Sequence, residues 1–396
     1  MPQDIARNQP SQAIQRITHI EGLRAYLAFW VVLDHILGAS GYTYSLVTGV
    51  AQFICSGWYA VDVFIIISGF VIFYLLDHKP ESYRCFITRR FFRLWPLFFL
   101  LFFISIFISK ISLVNISSFA KAFPASPVAG NGVEVIESWW ENLWVHIALH
   151  VPMLHGLVPN RLVDMSPDAF LGPAWSISLE WQFYLLAPFL FLWVRSGRGF
   201  PIAILSLGCL LCFLFSPRWE YDRFGAFSKV GAFLPMHAEF FYIGCLSYFG
   251  FKYFHKHPLP FRCLPVGVMI AVVGWFVSGQ SWHWIPTGIW LIFFGLIVDL
   301  QKPQTSGFEN VLGKIFDNRV TLHLGKISYS IYLAHIPVIA VAQALVFKWF
   351  PELSQKHHLL ALAVFTIPMT VFSSHLLYNW VEKPGIRWGS KLAKKF

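Results

Sequence analysis

The chain has 396 residues, 56% of them hydrophobic and 13% charged, about half the charged share of a soluble globular domain. That composition excludes a water-soluble fold and makes the bilayer the expected solvent. The formal net charge of +10 is spread over short segments between apolar runs, so it reads as membrane topology, and no nucleic-acid partner is expected.

In chain order, residues 1–22 are polar and lack the apolar core and small-residue cleavage site of a signal peptide, so a cytoplasmic N-terminal segment is expected. Apolar runs long enough to cross a hydrocarbon core follow near 23–39, 57–76, 92–110, 173–194, 201–216, 229–250, 264–279, 284–300, 325–347 and 358–381. The expected fold is all-α, a polytopic membrane helix bundle of about ten transmembrane helices over 23–381. An outer loop fills about 111–172, and a basic cytoplasmic tail fills 382–396. With both termini inside, 22 of the 30 Lys and Arg residues fall on the cytoplasmic side and 8 outside, the asymmetry that orients membrane proteins. Cys209 and Cys212 form a C-x-x-C within an apolar run and are expected to behave as small hydrophobes.

Ionisable groups within spans are costly and mark function by default. In span one, Arg24 and His35 are eleven positions apart. At about 100° per residue they share one face, with His35 roughly 16 Å deeper, near the bilayer centre. Asp34 points about 100° away and is a poor orienter of His35. Span two places Ser68 and Gly69 mid-membrane, where Gly lets a backbone or a thin ligand approach, and Asp62 towards the outer mouth. Span three opens with Arg89, Arg90 and Arg93 at the inner interface; Arg90 and Arg93 share a face and suit either anionic headgroups or a multiply phosphorylated cytosolic ligand.

The outer loop holds Trp139, Trp140 and Trp144 beside His146, His150 and His155, a stretch suited to an interfacial lid or re-entrant piece. His146 and His150 lack a clear third ligand, and no metal site is expected. Span four, PAWSISLEWQFY, brings Glu180 towards the depth of His35, with Trp175, Ser176 and Tyr184 extending its polar side. His237 and Glu239 stand in span six. Span nine sets His335 near mid-depth with Tyr332 and Ser328 on its face, so His35 and His335 suggest a central cavity. Either histidine alone is also accounted for by packing against a neighbouring helix.

The combination of EGLRAYLAFWVVLDH, VDVFIIISGF, RRFFRLWP, PAWSISLEWQFY, GKISYSIYLAH and VEKPG, in this order over about residues 20 to 385, resembles the acyltransferase 3 family of membrane acyltransferases that modify glycans and some antibiotics. The resemblance implies a ten-helix enzyme of the bacterial inner membrane. It implies acyl-CoA, acetyl-CoA by family frequency, as co-substrate with no bound cofactor, and a hydroxyl of an envelope glycan or lipid-linked sugar as acceptor. It makes His35 the catalytic histidine, Arg24 its motif partner, Arg90 and Arg93 the CoA-facing pair, and Glu180 the span-four carboxylate. Ser68 and Gly69 are grouped with the donor site, and Asp62, Trp175, Ser176, Tyr184, Tyr332 and His335 with the substrate cavity. Some relatives carry a fused extracytoplasmic domain, so a separate extracytoplasmic partner is an expectation here. In the expected reaction His35 takes the proton of the acceptor hydroxyl, with Glu180 as its carboxylate partner, or forms an acyl-histidine. The rival class is a transporter or flippase using the same polar groups as a proton relay; the chain shows no internal repeat.

Overall fold

A computed structural model describes residues 12–124, 126, 132–158, 162–163, 166–196, 232–278, 284–302 and 307–396. Among them every regular element is helical: α1 (Gln12–Ala39), α2 (Gly49–Ile54), α3 (Gly57–His78), α4 (Tyr83–Ala122), α5 (Gly132–Glu141), α6 (Leu143–His150), α7 (Ala174–Arg195), α8 (Ala238–Lys256), α9 (Cys263–Val277), α10 (Trp284–Asp299), α11 (Gly307–Phe316), α12 (Arg319–Lys326), α13 (Ser328–Trp349), α14 (Gln355–Leu377) and α15 (Lys383–Ala393). Six are long and apolar enough to cross a membrane, namely Thr18–Ala39 in α1, then α3, α4, α7, α13, and α14 continuing through α15. The chain is therefore a multi-pass helical membrane protein.

About ten crossings are not counted among the described residues. The run at 201–216 lies outside them, α9 and α10 are apolar but only 15 and 16 residues long, and α8 carries Glu239, Lys252 and Lys256. The expected span over 92–110 is the middle of a single 40-residue helix, about 60 Å of rod against about 30 Å of hydrocarbon. Its start is fixed where the Ser82 hydroxyl accepts the Cys85 N–H at 3.2 Å. Its far half runs straight through the position assigned to the outer loop.

That loop is correspondingly a packed helical cap. Trp140 Nε1 donates to Ser109 Oγ at 3.1 Å and Trp95 Nε1 to the Val151 carbonyl at 2.8 Å. The Gly156 N–H donates to Ser178 Oγ at 3.0 Å, and that hydroxyl donates to the Met153 carbonyl at 2.8 Å. The cap is thus bonded into α4 and α7. His146, His150 and His155 are all buried in it, with the His150 and His155 rings stacked at 4.0 Å and the His150 ring 4.4 Å from that of Phe102.

The α3 and α8 helices cross at bare backbone. A Cβ added to Gly69 would stand 2.3 Å from the Phe241 carbonyl oxygen, and one added to Gly244 would stand 2.0 Å from that of Ile66. Small residues at such crossings let membrane helices gain van der Waals contact. Gly69 is therefore consumed by packing, which corrects its expected place in the donor site. Overpacking of this kind costs about 1–3 kcal/mol, so Gly69→Ala is expected to lower the thermal unfolding midpoint in detergent. An unchanged midpoint would mean that the helices part freely here.

Candidate active site

The described residues enclose two cavities that share Val61 and Tyr332 as a common wall. The basic cavity, of about 140 Å³, is lined by Arg24, Ser68, Arg90, Arg93, Ser176, Glu180, Tyr184 and Tyr332, among others. Five separate helices supply these side chains. The Glu180 carboxylate accepts from Ser68 Oγ at 3.2 Å and from the Tyr184 hydroxyl, one helical turn away. Arg93 donates to Glu382, whose other oxygen accepts from Ser330 Oγ at 2.7 Å, and its guanidinium lies 5.5 Å from the Tyr329 ring centroid. Glu382 has no exposed side-chain surface.

The three arginines are therefore not equivalent. Arg93 is committed to Glu382, and Arg24 lies 3.5 Å from Glu21. Arg89, expected at the same interface, pairs with Glu81 at 3.3 Å. Arg90 forms no ion pair among the described residues. Its guanidinium lies 5.7 Å and 5.9 Å from the Phe86 and Tyr184 ring centroids, and its Nε is buried without an acceptor. A guanidinium that lines a cavity without a carboxylate partner has the chemistry of an anion site, because its fork matches phosphate or carboxylate oxygens.

The histidine cavity, of about 480 Å³, is lined by Asp34, His35, Trp139, Asp168 and Trp175 together with Ser105, Ser109 and Ser112 of α4. A second lobe of about 400 Å³ continues from Asp34 and His35 along Ser112 and Asn115. His35 Nδ1 lies 2.9 Å from the Val31 carbonyl oxygen. A carbonyl can only accept, so Nδ1 carries a proton, and in the neutral ring the lone pair is then on Nε2, the tautomer a general base requires. His335 backs this ring at 4.9 Å between centroids and is fully buried. Tyr332, one turn before His335, bonds Ser176 Oγ at 2.8 Å and so ties the two cavities together.

Several expected groupings are redrawn. Glu180 faces Ser68 and Tyr184 in the basic cavity, so the partner of His35 is the backbone of its own helix instead of that carboxylate. Asp62 turns to His237 at 3.3 Å instead of standing free at a pore mouth, and Trp175, whose ring lies 5.5 Å from that of His237, reaches the histidine cavity. His335 supports His35 from behind and is not part of either cavity lining. Arg24 and His35, on one helix face, end up on opposite sides of the Tyr332 wall. Residues the sequence reading passed over are Glu382, quoted only within a motif, Tyr329, and Asp168. Burial pushes the Asp168 carboxyl up to about 7. Among the described residues no group of three or more His, Cys, Asp or Glu is placed to hold a metal ion.

The acyltransferase domain family matches residues 17–379. The chain is 23% identical to the O-acetyltransferase OatA of Staphylococcus aureus (strain NCTC 8325 / PS 47) over 98% of its own length and 60% of that protein's. It is 29% identical to the acyltransferase MdmB of Streptomyces mycarofaciens over 48% of its own length and 42% of that protein's. It spans 58% of the length of another Staphylococcus aureus relative, from strain COL, at 23% identity. No solved structure matches.

Proposed function

Because the chain belongs to the acyltransferase domain family, we propose that it is a membrane O-acyltransferase that takes an acyl group, acetyl in the first instance, from cytosolic acyl-CoA and esterifies a hydroxyl of an envelope glycan or lipid-linked sugar. The observation that carries this reading is the pairing of two unlike cavities across one wall: three arginines on one side, and a histidine with a free Nε2 on the other. In this reading the basic end faces the cytosol, as the distribution of Lys and Arg favours. The protein resides in a bacterial inner membrane with about ten crossings and both termini inside.

Arg90 and Arg24 hold phosphate oxygens of the donor while its thin pantetheine arm reaches towards Tyr332. His35 Nε2 takes the proton from the acceptor hydroxyl as that oxygen attacks the thioester carbonyl. The new C–O bond forms, the C–S bond breaks, and the proton held by His35 passes to the departing sulfur. Ester and free thiol are the products, and His35 returns to its starting state. A proton-coupled transporter would leave its substrate unmodified, so the two classes differ in product. The test is mass spectrometry of envelope glycans from cells with and without the protein. An added acyl mass, lost on mild alkaline treatment, is expected only with the protein; identical glycans would overturn the reading.

A further inference from the structure

Three polar atoms of residues that line the histidine cavity have no partner among the described residues. Trp139 Nε1, Asp168 Oδ1 and Ser105 Oγ are each buried without a hydrogen bond among the described residues, and all three residues belong to the lining of one cavity. Buried polar groups in folded proteins are nearly always paired. Three such orphans on residues lining one space of about 480 Å³, a volume typical of small-molecule sites, form a pattern that a ligand would satisfy.

The backbone around Asp168 points the same way. Phe170, two residues on, holds φ at 62°, a left-handed conformation that costs a bulky side chain about 1–3 kcal/mol and persists where surroundings enforce it. Phe170 is buried, with its ring 5.6 Å from that of Trp139. This turn and the Trp139 helix thus pack on each other, and both contribute residues to the cavity lining.

The chemistry of the three atoms selects the ligand. An indole N–H only donates, a serine hydroxyl does both, and a carboxyl accepts when ionised and also donates when protonated; a row of hydroxyls, each donor and acceptor, satisfies all of them in either state. No Lys or Arg is among the described lining residues, whereas two carboxyls, Asp34 and Asp168, are. An anionic ligand would therefore be desolvated there without a basic side chain to pair with.

Resting on the function proposed above, we propose that the histidine cavity is the binding site for an uncharged saccharide acceptor, whose hydroxyls are read by Asp168 and Trp139 and so presented to His35. Asp168 and Trp139 are positioning residues. Phosphorylated or uronic sugars are disfavoured, because they would find no Lys or Arg among the described lining residues.

The test uses the full chain in proteoliposomes with labelled acetyl-CoA, titrating an envelope-glycan extract as acceptor. Asp168→Asn is expected to raise the extract concentration for half-maximal ester formation about 10-fold or more, while its Kd for labelled acetyl-CoA stays within about twofold of the wild type. Trp139→Phe, which keeps the ring and removes the N–H, should raise it about threefold. With the extract separated by charge, label should enter the neutral fraction. Wild-type half-saturation in both variants would overturn the proposal, as would label entering mainly the acidic fraction, or loss of acetyl-CoA binding in parallel with transfer. A wild-type protein that forms no ester with any fraction would overturn the acyltransferase reading itself, an outcome distinct from those.

Discussion

Membranes carrying His35→Ala are expected to bind labelled acyl-CoA as the wild type does and to form no ester above background. The expected loss is about 100- to 10,000-fold, the usual contribution of a positioned general base. The argument rests on a single backbone contact: the Val31 carbonyl, 2.9 Å from Nδ1, fixes the tautomer, so Nε2 is the nitrogen turned to chemistry. His35→Gln, which can keep a contact to the Val31 carbonyl but offers no base, should be as inactive as His35→Ala. Ester formation at the wild-type rate in either variant would remove His35 from the mechanism. Under the proposed function donor and base sit in different cavities, so the experiment separates binding from turnover.

The second large effect divides arginines that look alike in the sequence. Glu382→Ala leaves the Arg93 guanidinium without its carboxylate, and removing one member of a buried ion pair costs about 3–5 kcal/mol. That variant should be recovered poorly and unfold early in detergent. Arg90→Ala removes a cation that forms no ion pair among the described residues, so it should cost less stability than Glu382→Ala and lose about 10- to 100-fold in acyl-CoA affinity, the range for one charged hydrogen-bonding partner. The reverse pattern, a stable Glu382→Ala protein with weak donor binding and an unstable Arg90→Ala protein, would exchange the two roles. Thermal unfolding and equilibrium binding of labelled donor on the same preparations decide it.

Helical arithmetic within one segment carries a long way in a membrane protein, since each span is a regular rod. The shared face of Arg24 and His35 follows from 100° per residue, and the all-helical bundle follows from composition and run length. Arithmetic of that kind stops where two rods meet. Arg93 and Glu382 are separated by 289 residues, and nothing in either segment says that the closing VEKPG returns to neutralise span three. The orientation of Glu180 is likewise set by Ser68 on another helix. Depth alone could bring Glu180 level with His35 without deciding which side of Tyr332 it faces. The full length of α4 was hidden for another reason. Lys110, Ser112 and Asn115 interrupt its apolar run, and hydropathy marks where lipid ends, whereas the helix is continued by its own backbone bonds and by the cap packed on it. Asp168 carries a signal of a weaker kind, an acidic residue just before the apolar start of a span.

The wall formed by Tyr332 and Val61 has a consequence for the cell as a whole. An ion that crosses a membrane under 100 mV releases about 2.3 kcal/mol per charge, and a continuous wet path through a membrane protein would drain the gradient that powers its host. Tyr332, pinned by Ser176 at 2.8 Å with the Phe64 ring 6.2 Å away, stands between two polar chambers. Under the proposed function, a passenger as slender as a two-carbon fragment would be handed across while the membrane stays electrically closed.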